Sequence, residues 1–338
     1  MCDEASRQLL KKLPMRLSRR QLLIGGIAVP SLFFIDPAKA DDGFPVTIRH
    51  SFGETIVPRP PKRIVTIGWC GEDPVIALGE VPVGMTGYPY WPDKIADWNR
   101  SYIGSEKPVL MNYLIDYEQI AALRPDIILS VFSGIDGLAY QRLSQIAPVV
   151  CPLNGAWTSD WREQTLLAGH AMGKTSQATQ LIDEVDQSID DLRTKHAEIA
   201  GKSFALVSHF PRQNGFDVYL SGDSRFEMFE QLGLLPCQGV LNLGKAESGR
   251  YVKPVSLEQL DVLDCDILIA WFSEGAEAAL NRQPIFRTLP SVERETVVAL
   301  EDPAEIWSVL TPTVLSIPNG FPKFVPRLAE AARKAEQQ

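Results

Sequence analysis

Ser159–Ile199 reads SDWREQTLLAGHAMGKTSQATQLIDEVDQSIDDLRTKHAEI, and the fold turns on how this stretch is read. It contains no proline, and apolar side chains return at Leu167, Ala171, Ala178, Leu181, Val185, Ile189 and Leu192. Steps of three, four or seven are the period of an amphipathic helix rather than of a strand. At ~1.5 Å per residue a continuous helix here would be roughly 60 Å long. Gly169 and Gly173 each cost about 1 kcal/mol against alanine in a helix interior, so a kink or break belongs near them.

The segments on either side of this helix look alike. Asp116–Ser133 reads DYEQIAALRPDIILSVFS and Ser256–Ser273 reads SLEQLDVLDCDILIAWFS. Set 140 positions apart, they share Glu118/Glu258, Gln119/Gln259, Leu123/Leu263, Asp126/Asp266, Ile127/Ile267, Phe132/Phe272 and Ser133/Ser273. Each is a short helix, a tight connection, and a buried apolar strand that ends in small polar residues. Units of this kind build parallel sheets. Two similar α/β lobes joined by one long helix are therefore expected; convergence of two ordinary αβ units is the alternative.

The N-terminus reads as a targeting segment. Arg16, Arg19 and Arg20 precede the apolar run Leu22–Ile35, and Ala38-Lys39-Ala40 offers a small-residue cleavage site. Ser18-Arg19-Arg20-Gln21-Leu22-Leu23 resembles the twin-arginine export signal. An ordinary secretory signal and an uncleaved anchor are the alternatives. The run is interrupted by Gly25, Gly26 and Pro30, which makes it short for a membrane span.

Removing residues 1–40 takes away seven Lys or Arg and three Asp or Glu, leaving 26 and 39 and a formal net charge of −13. So acidic a chain is not expected to bind nucleic acid or anionic lipid surfaces. Cys70, Cys151, Cys237 and Cys265 remain. Their spacing fits no zinc or redox motif. An exported protein permits disulfides, whereas folding before export would take place in a reducing cytoplasm and favours free thiols.

In chain order, Val46–Ile48 and Thr55–Val57 read as a hairpin, Arg63–Gly68 as a buried strand, and Asp73–Gly79 as a helix with Asp73 at its cap. Further strands are expected at Val83–Met85, Ile127–Val131, Pro148–Val150, Phe204–Ser208, Asp266–Trp271 and Val297–Leu300. Helices are expected at Ser224–Leu232, Ser256–Leu263 and Phe324–Lys334.

Catalytic motifs are missing. There is no G-x-G-x-x-G after a strand and no G-x-S-x-G elbow. Gly169–Thr175 approximates a phosphate loop but is one residue short and lies inside a helix. His50, His170, His196 and His209 show no metal-ligand spacing, and no nucleophile, base and orienting acid assemble. What remains is a set of aromatic and basic residues after strands, where open α/β sheets bind ligands. These are Trp69, Tyr88, Tyr90, Trp91, Trp157, His209, Arg212, Arg250, Tyr251, Trp271 and Trp307. Flat apolar walls with a few cations suit a bulky, planar or aromatic, oxygen-rich and anionic ligand. Burial of individual rings in the core is the competing reading.

The motifs Pro61–Val65, Ala77-Leu78-Gly79 with Pro82-Val83-Gly84, Glu118–Ile128, Ile146–Val149 and Val255–Leu260 share order and spacing with one family. From Pro61 onward the chain resembles the ferric-siderophore-binding proteins of ABC importers, of the ferrichrome- and ferric-citrate-binding group. The resemblance implies two Rossmann-like α/β lobes with central parallel sheets, bridged by one long helix. The parts would be an export signal at 1–40, a first lobe at 41–157, the bridging helix at 158–200 and a second lobe at 201–338. It also implies a surface acid on each lobe that engages the membrane permease, matched here to Asp73, with Glu72 beside it, and to Glu258. Trp69 and Trp307 fall where ferrichrome binders carry tryptophans. Other features depart. Ser105-Glu106-Lys107 stands where a ligand-binding arginine is common, Ile135 stands near a tyrosine position, and Arg250-Tyr251 replaces a tryptophan-containing turn. Hydroxamate specificity is thereby in doubt, and catecholate, carboxylate or mixed siderophores stay open.

The expected protein is thus a periplasmic, non-catalytic, monomeric binding protein with ferric siderophore and an inner-membrane ABC permease as partners. It would hold no resident cofactor or metal, since the siderophore itself fills the iron's coordination sphere. Trp69, Tyr88, Tyr90, Trp91, Trp157, Trp271, Trp307 and Tyr251 would pack on the ligand's organic shell, with Arg212 and Arg250 meeting its charge. Haem or cobalamin is a second ligand reading, with Tyr88, Tyr90, Tyr251 and His209 as axial candidates for haem. An exported α/β enzyme is a third.

Overall fold

A computed structural model describes residues 43–210 and 213–337. The export signal at 1–40 and Arg212 lie outside the described residues.

A hairpin of β1 (Val46–His50) and β2 (Gly53–Val57) opens the described chain. The first sheet contains β3 (Ile64–Gly68), β4 (Gly84–Thr86), β5 (Val109–Met111), β6 (Ile127–Phe132) and β7 (Val149–Val150). Its order is β5-β4-β3-β6-β7, and every pairing is parallel. All six residues of β6 are buried, and its sequence is apolar but for Ser130 rather than alternating.

The second sheet contains β8 (Ser203–His209), β9 (Gly215–Tyr219), β10 (Leu235–Pro236), β11 (Val252–Ser256), β12 (Ile267–Phe272) and β13 (Val297–Leu300). It runs β11-β9-β8-β12-β13, with β10 paired to β8. β8, β12 and β13 are parallel, as β3, β6 and β7 are in the first sheet. On the other side of β8, β9 and β11 pair antiparallel.

The connection between the sheets differs from the expectation of one helix over 158–200. It is two helices, Trp161–Met172 and Thr175–Lys195, broken at Gly173. Gly173 takes the left-handed conformation at φ 68, and the Gly173 and Lys174 amides close back on the carbonyls of His170 and Gly169. Gly169 lets the second helix return closely, since a Cβ there would lie 2.5 Å from the Ala178 Cβ. The first helix places Trp161 in the core of the second sheet and Leu167, Ala168, Ala171 and Met172 in that of the first. The second helix starts with Ala178 in the first core and ends with Ile182, Val185 and Ile189 in the second. Thr175–Lys195 is 21 residues, about 31 Å at 1.5 Å per residue. A helical hairpin, not a single strut, links the two cores.

Three helix expectations shift at their ends. Glu72 rather than Asp73 is the cap of Asp73–Ala77. Leu257–Leu263 is a 3-10 helix. The last helix runs Ser316–Glu336 with Pro322 and Pro326 inside it. An interior proline costs about 3 kcal/mol; here Ile317, Phe321, Phe324, Val325 and Leu328 bury against the second sheet and offset it.

Candidate ligand-binding site

The carboxyl ends of β3, β4, β5 and β6 converge on one cavity of about 560 Å³. Gly68 and Trp69 line it after β3, Thr86 closes β4, Met111–Tyr117 follow β5, and Ser133–Asp136 follow β6. Trp157 covers one side. Its φ of 61 is unusual for a non-glycine residue. The turn is held by Trp157 N donating to the Ser133 carbonyl at 3.1 Å. Gly134 is required beneath the indole, since a Cβ there would come within 2.4 Å of Trp157 Nε1.

Rings from both sheets meet at this edge. Trp69 packs 5.1 Å from Trp157 and 5.2 Å from Trp307. Trp307 comes from the helix Pro303–Leu310, which follows β13. Around it stand Tyr88 at 5.0 Å, Tyr90 at 5.5 Å and Tyr113 at 6.5 Å with nearly parallel rings. Trp91 stacks edge-on to Tyr88 and Trp98. Tyr88, Trp91 and Trp307 are buried and back the wall, while Tyr90 and Tyr113 are exposed and Trp69 and Trp157 half-buried. Such pairs contribute about 0.5–1.5 kcal/mol each beyond area burial, so the wall is stiff before any ligand arrives.

The remaining sequence candidates stand elsewhere. Trp271 sits half-buried in β12 with its ring 5.2 Å from Phe210. Tyr251 stacks on the buried Arg225 guanidinium at 4.4 Å, with Tyr219 also over that guanidinium at 4.8 Å. Arg225 is paired with Asp223, Nε to Oδ1 at 2.7 Å and NH2 to Oδ2 at 2.6 Å. Arg250 is exposed in a turn closed by Glu247 and Arg250. His209 is held by its Nδ1 on the Gly215 carbonyl at 2.6 Å. Trp271, Arg250 and Tyr251 stand outside the cavity's described lining, as do Tyr88, Tyr90, Trp91 and Trp307, which join it through their ring contacts.

Glu72 and Asp73 require a correction. Both are buried, at 1% and 0% exposure, and are not available to a membrane partner. Asp73 accepts from Trp98 Nε1 at 2.8 Å, Asn99 Nδ2 at 2.7 Å and Thr313 Oγ1 at 2.5 Å. Burial still pushes its carboxyl up to about 6 against the pull of these donors. Tyr88 OH accepts from Cys70 N at 2.6 Å and donates to Glu72 Oε2 at 3.2 Å; Glu72 Oε1 has no partner among the described residues. Burial, then the Asp73 charge, holds the Glu72 carboxyl well above the usual range. Cys70, Glu72 and Asp73 each bring one ligand-type atom within 4.8 Å of the others. The Asp73 oxygens, however, are already committed to three donors. Glu258 is exposed, as expected. Nothing in the sequence marked Asn99 or Thr313. Tyr113 and Leu114 follow β5, which is not among the strands expected from the sequence.

A depression of similar size, about 600 Å³, opens between β1, the Trp161–Met172 helix and Glu227. No Trp, Tyr or Phe lines it. Its carboxylates Asp160 and Glu163 are engaged by the amides of Glu163 and Leu153. The aromatic trough is the better site.

The sequence profile of the family described as periplasmic binding protein matches residues 64–304, which takes in both sheets. The chain belongs to that family. Within it, the chain is 26% identical over 251 residues to the probable siderophore-binding lipoprotein YfiY of Bacillus subtilis, covering 70% of this chain and 71% of that one. It is 25% identical over 250 residues to the achromobactin-binding periplasmic protein of Dickeya dadantii, covering 70% and 77%. The structure of PiaA from Streptococcus pneumoniae in complex with ferrichrome superposes with a TM-score of 0.77 at 25% identity, covering 86% of this chain and 99% of that one. This family binds substrates for import. Its two-lobe α/β architecture is the one found here, and among the described residues no helix is long and apolar enough to cross a membrane.

Proposed function

We propose that the chain is the substrate-binding component of an ABC iron importer, which holds a ferric siderophore in the aromatic trough and delivers it unaltered to a membrane permease. The observation that carries this is the meeting of Trp69 and Trp157 with Trp307 at the carboxyl ends of the first sheet, in a family whose relatives bind siderophores. A cavity of about 560 Å³ with open aromatic faces accommodates the organic shell of a chelate. The metal needs no protein ligand, and no catalytic step is assigned to the protein.

In the same reading the protein works outside the cytoplasmic membrane, in the periplasm, after export on the twin-arginine signal and cleavage behind Ala40. The permease meets Glu118 and Glu258. Both are exposed, both lie in the first turn of their helices, and they occupy equivalent places in the internal repeat. Paired acids on separate lobes supply orientation as well as attraction. The helical hairpin crossing between cores limits closure on loading to a few degrees, which paired scattering profiles of empty and loaded protein would register as near-identical.

Titration of the indole fluorescence with ferric siderophores, haem and cobalamin tests the reading. Saturable quenching by a ferric siderophore, at micromolar or tighter Kd, is the expected outcome. Purification with a Soret band, or quenching only by cobalamin, would overturn it.

A further inference from the structure

The charge around the trough points to a narrower ligand class than siderophores at large. Among the described residues, no Lys, Arg or His lines the cavity. Its carboxylates are Asp116 and Asp136, each fixed as a helix cap, on Gln119 N at 2.9 Å and Ala139 N at 2.8 Å. Its neutral polar groups are Thr86, Asn112, Tyr113, Tyr117 and Ser133. The rim is apolar: Leu114 is 85% and Leu138 56% exposed.

The second sheet adds acids at its own carboxyl edge, where the nearby cation Arg327 is taken up by Glu305 and by the Ala299 carbonyl. Glu274 follows β12, and Glu301 and Asp302 follow β13; all three are exposed. Glu277 lies near Glu301, whose charge adds to burial in raising its carboxyl against the pull of Arg327. Three of the described cations are committed or peripheral. Arg225 is buried against Asp223, Arg142 lies over the Tyr117 ring at 5.6 Å, and Arg250 is exposed outside the lining.

Ferric chelates differ sharply in charge. Three hydroxamates, each a monoanion, cancel the charge of Fe(III). Three catecholates, each a dianion, leave a triple negative charge, and citrate-type chelates also remain anionic. Desolvating an anion against carboxylates with no cation in the wall is unfavourable, whereas a neutral chelate needs only ring faces and a few hydrogen bonds.

We infer that the trough selects a ferric chelate without net negative charge, a neutral or cationic hydroxamate, and that its carboxylates Asp116 and Asp136 reject anionic ones. This rests on the siderophore reading above. It reverses the anionic ligand expected from the sequence.

The test is fluorescence titration of the full chain with ferrichrome (neutral), ferrioxamine B (cationic), a ferric tris-catecholate and ferric citrate, at 50 and 500 mM salt. The hydroxamates should bind at least tenfold more tightly than the anionic pair, and their Kd should change less than twofold with salt. Asp136→Asn keeps a capping side chain and Leu138→Lys adds a cation to the exposed rim; each should shift selectivity toward the tris-catecholate by threefold or more. Tightest binding of an anionic chelate, weakened tenfold by salt or by Arg250→Ala, would overturn the inference and leave the siderophore reading intact. Failure of all four chelates to quench would overturn both.

Discussion

Asp126 and Asp266 hold the same place in the two halves of the chain, 140 positions apart. Asp126 accepts from the amides of Lys62 at 3.1 Å and Arg63 at 2.7 Å, just before β3. Asp266 accepts from the amide and hydroxyl of Ser203, the first residue of β8, both at 2.8 Å. In each lobe the carboxylate that opens one central strand thus pins the start of its neighbour. Charge-assisted hydrogen bonds of this kind contribute about 1.5–3 kcal/mol. Asp126→Ala and Asp266→Ala should each lower unfolding free energy by roughly that amount. The residues share no partner, so the double variant should show the sum. Denaturant titration of the three variants measures it, and a loss confined to one site would show that the two halves are not equivalent.

Gly134→Ala should disturb the trough without unfolding the protein. The new methyl would fall within 2.4 Å of Trp157 Nε1, so the indole must leave its place over β6. The Trp69–Trp157 contact at 5.1 Å goes with it. Indole emission should shift and chelate affinity fall about tenfold, roughly 1.4 kcal/mol, while far-UV dichroism stays unchanged. Unaltered affinity would place the ligand away from Trp157.

Much of this architecture is legible because it rests on burial of continuous apolar runs. The run Ile267–Phe272 is apolar throughout and is found as β12; Ile127–Phe132, apolar but for Ser130, gives β6. β11 is missed because Pro254 lies within it. It occupies the edge of the second sheet, the position where a strand tolerates proline. Pro322 hides the first turns of the last helix for a similar reason: tertiary packing overrides local preference. The break at Gly173 was placed only approximately, because what decides it is the close return of Ala178 on Gly169. In the site, Trp69, Trp157 and Trp307 are legible from their positions after strands. The burial of Glu72 and Asp73 is not, since acids are rarely interior and the donors that hold Asp73 are 25, 26 and 240 residues away.

Charge reversal at Glu118 and Glu258 separates capture from delivery. Both side chains are exposed and lie outside the cavity lining. The double variant Glu118→Arg with Glu258→Arg should bind its ferric chelate within twofold of the parent protein. Iron uptake by cells that depend on the protein should nevertheless fall at least tenfold. Normal uptake would remove these acids from the permease interface.

Buried acids make stability fall toward neutral pH. The Asp73 carboxyl ordinarily titrates at 3.8 and in the fold at about 6, chiefly because burial disfavours its charge. Below the lower value both folded and unfolded chains carry the proton. Between the two, the folded chain keeps a proton that the unfolded chain has lost, so stability declines as pH rises through this window and stays lower above it. Glu72, raised in the same direction by burial and by Asp73, extends the decline to higher pH. Glu72→Gln removes the ionisation that favours the unfolded chain at high pH while keeping an acceptor for Tyr88, and should therefore raise Tm at pH 8 more than at pH 5. A gain on the order of 1 kcal/mol corresponds to about 2 °C in a chain this large. Thr313→Val acts oppositely. It takes a donor from ionised Asp73 and should cost about 1–3 kcal/mol at pH 8, with a smaller cost at pH 4, where the carboxyl is protonated. Melting curves across pH 4–8 for both variants decide the matter. A Glu72→Gln protein that is less stable at pH 8 than its parent would mean that Glu72 is ionised there and held by a cation.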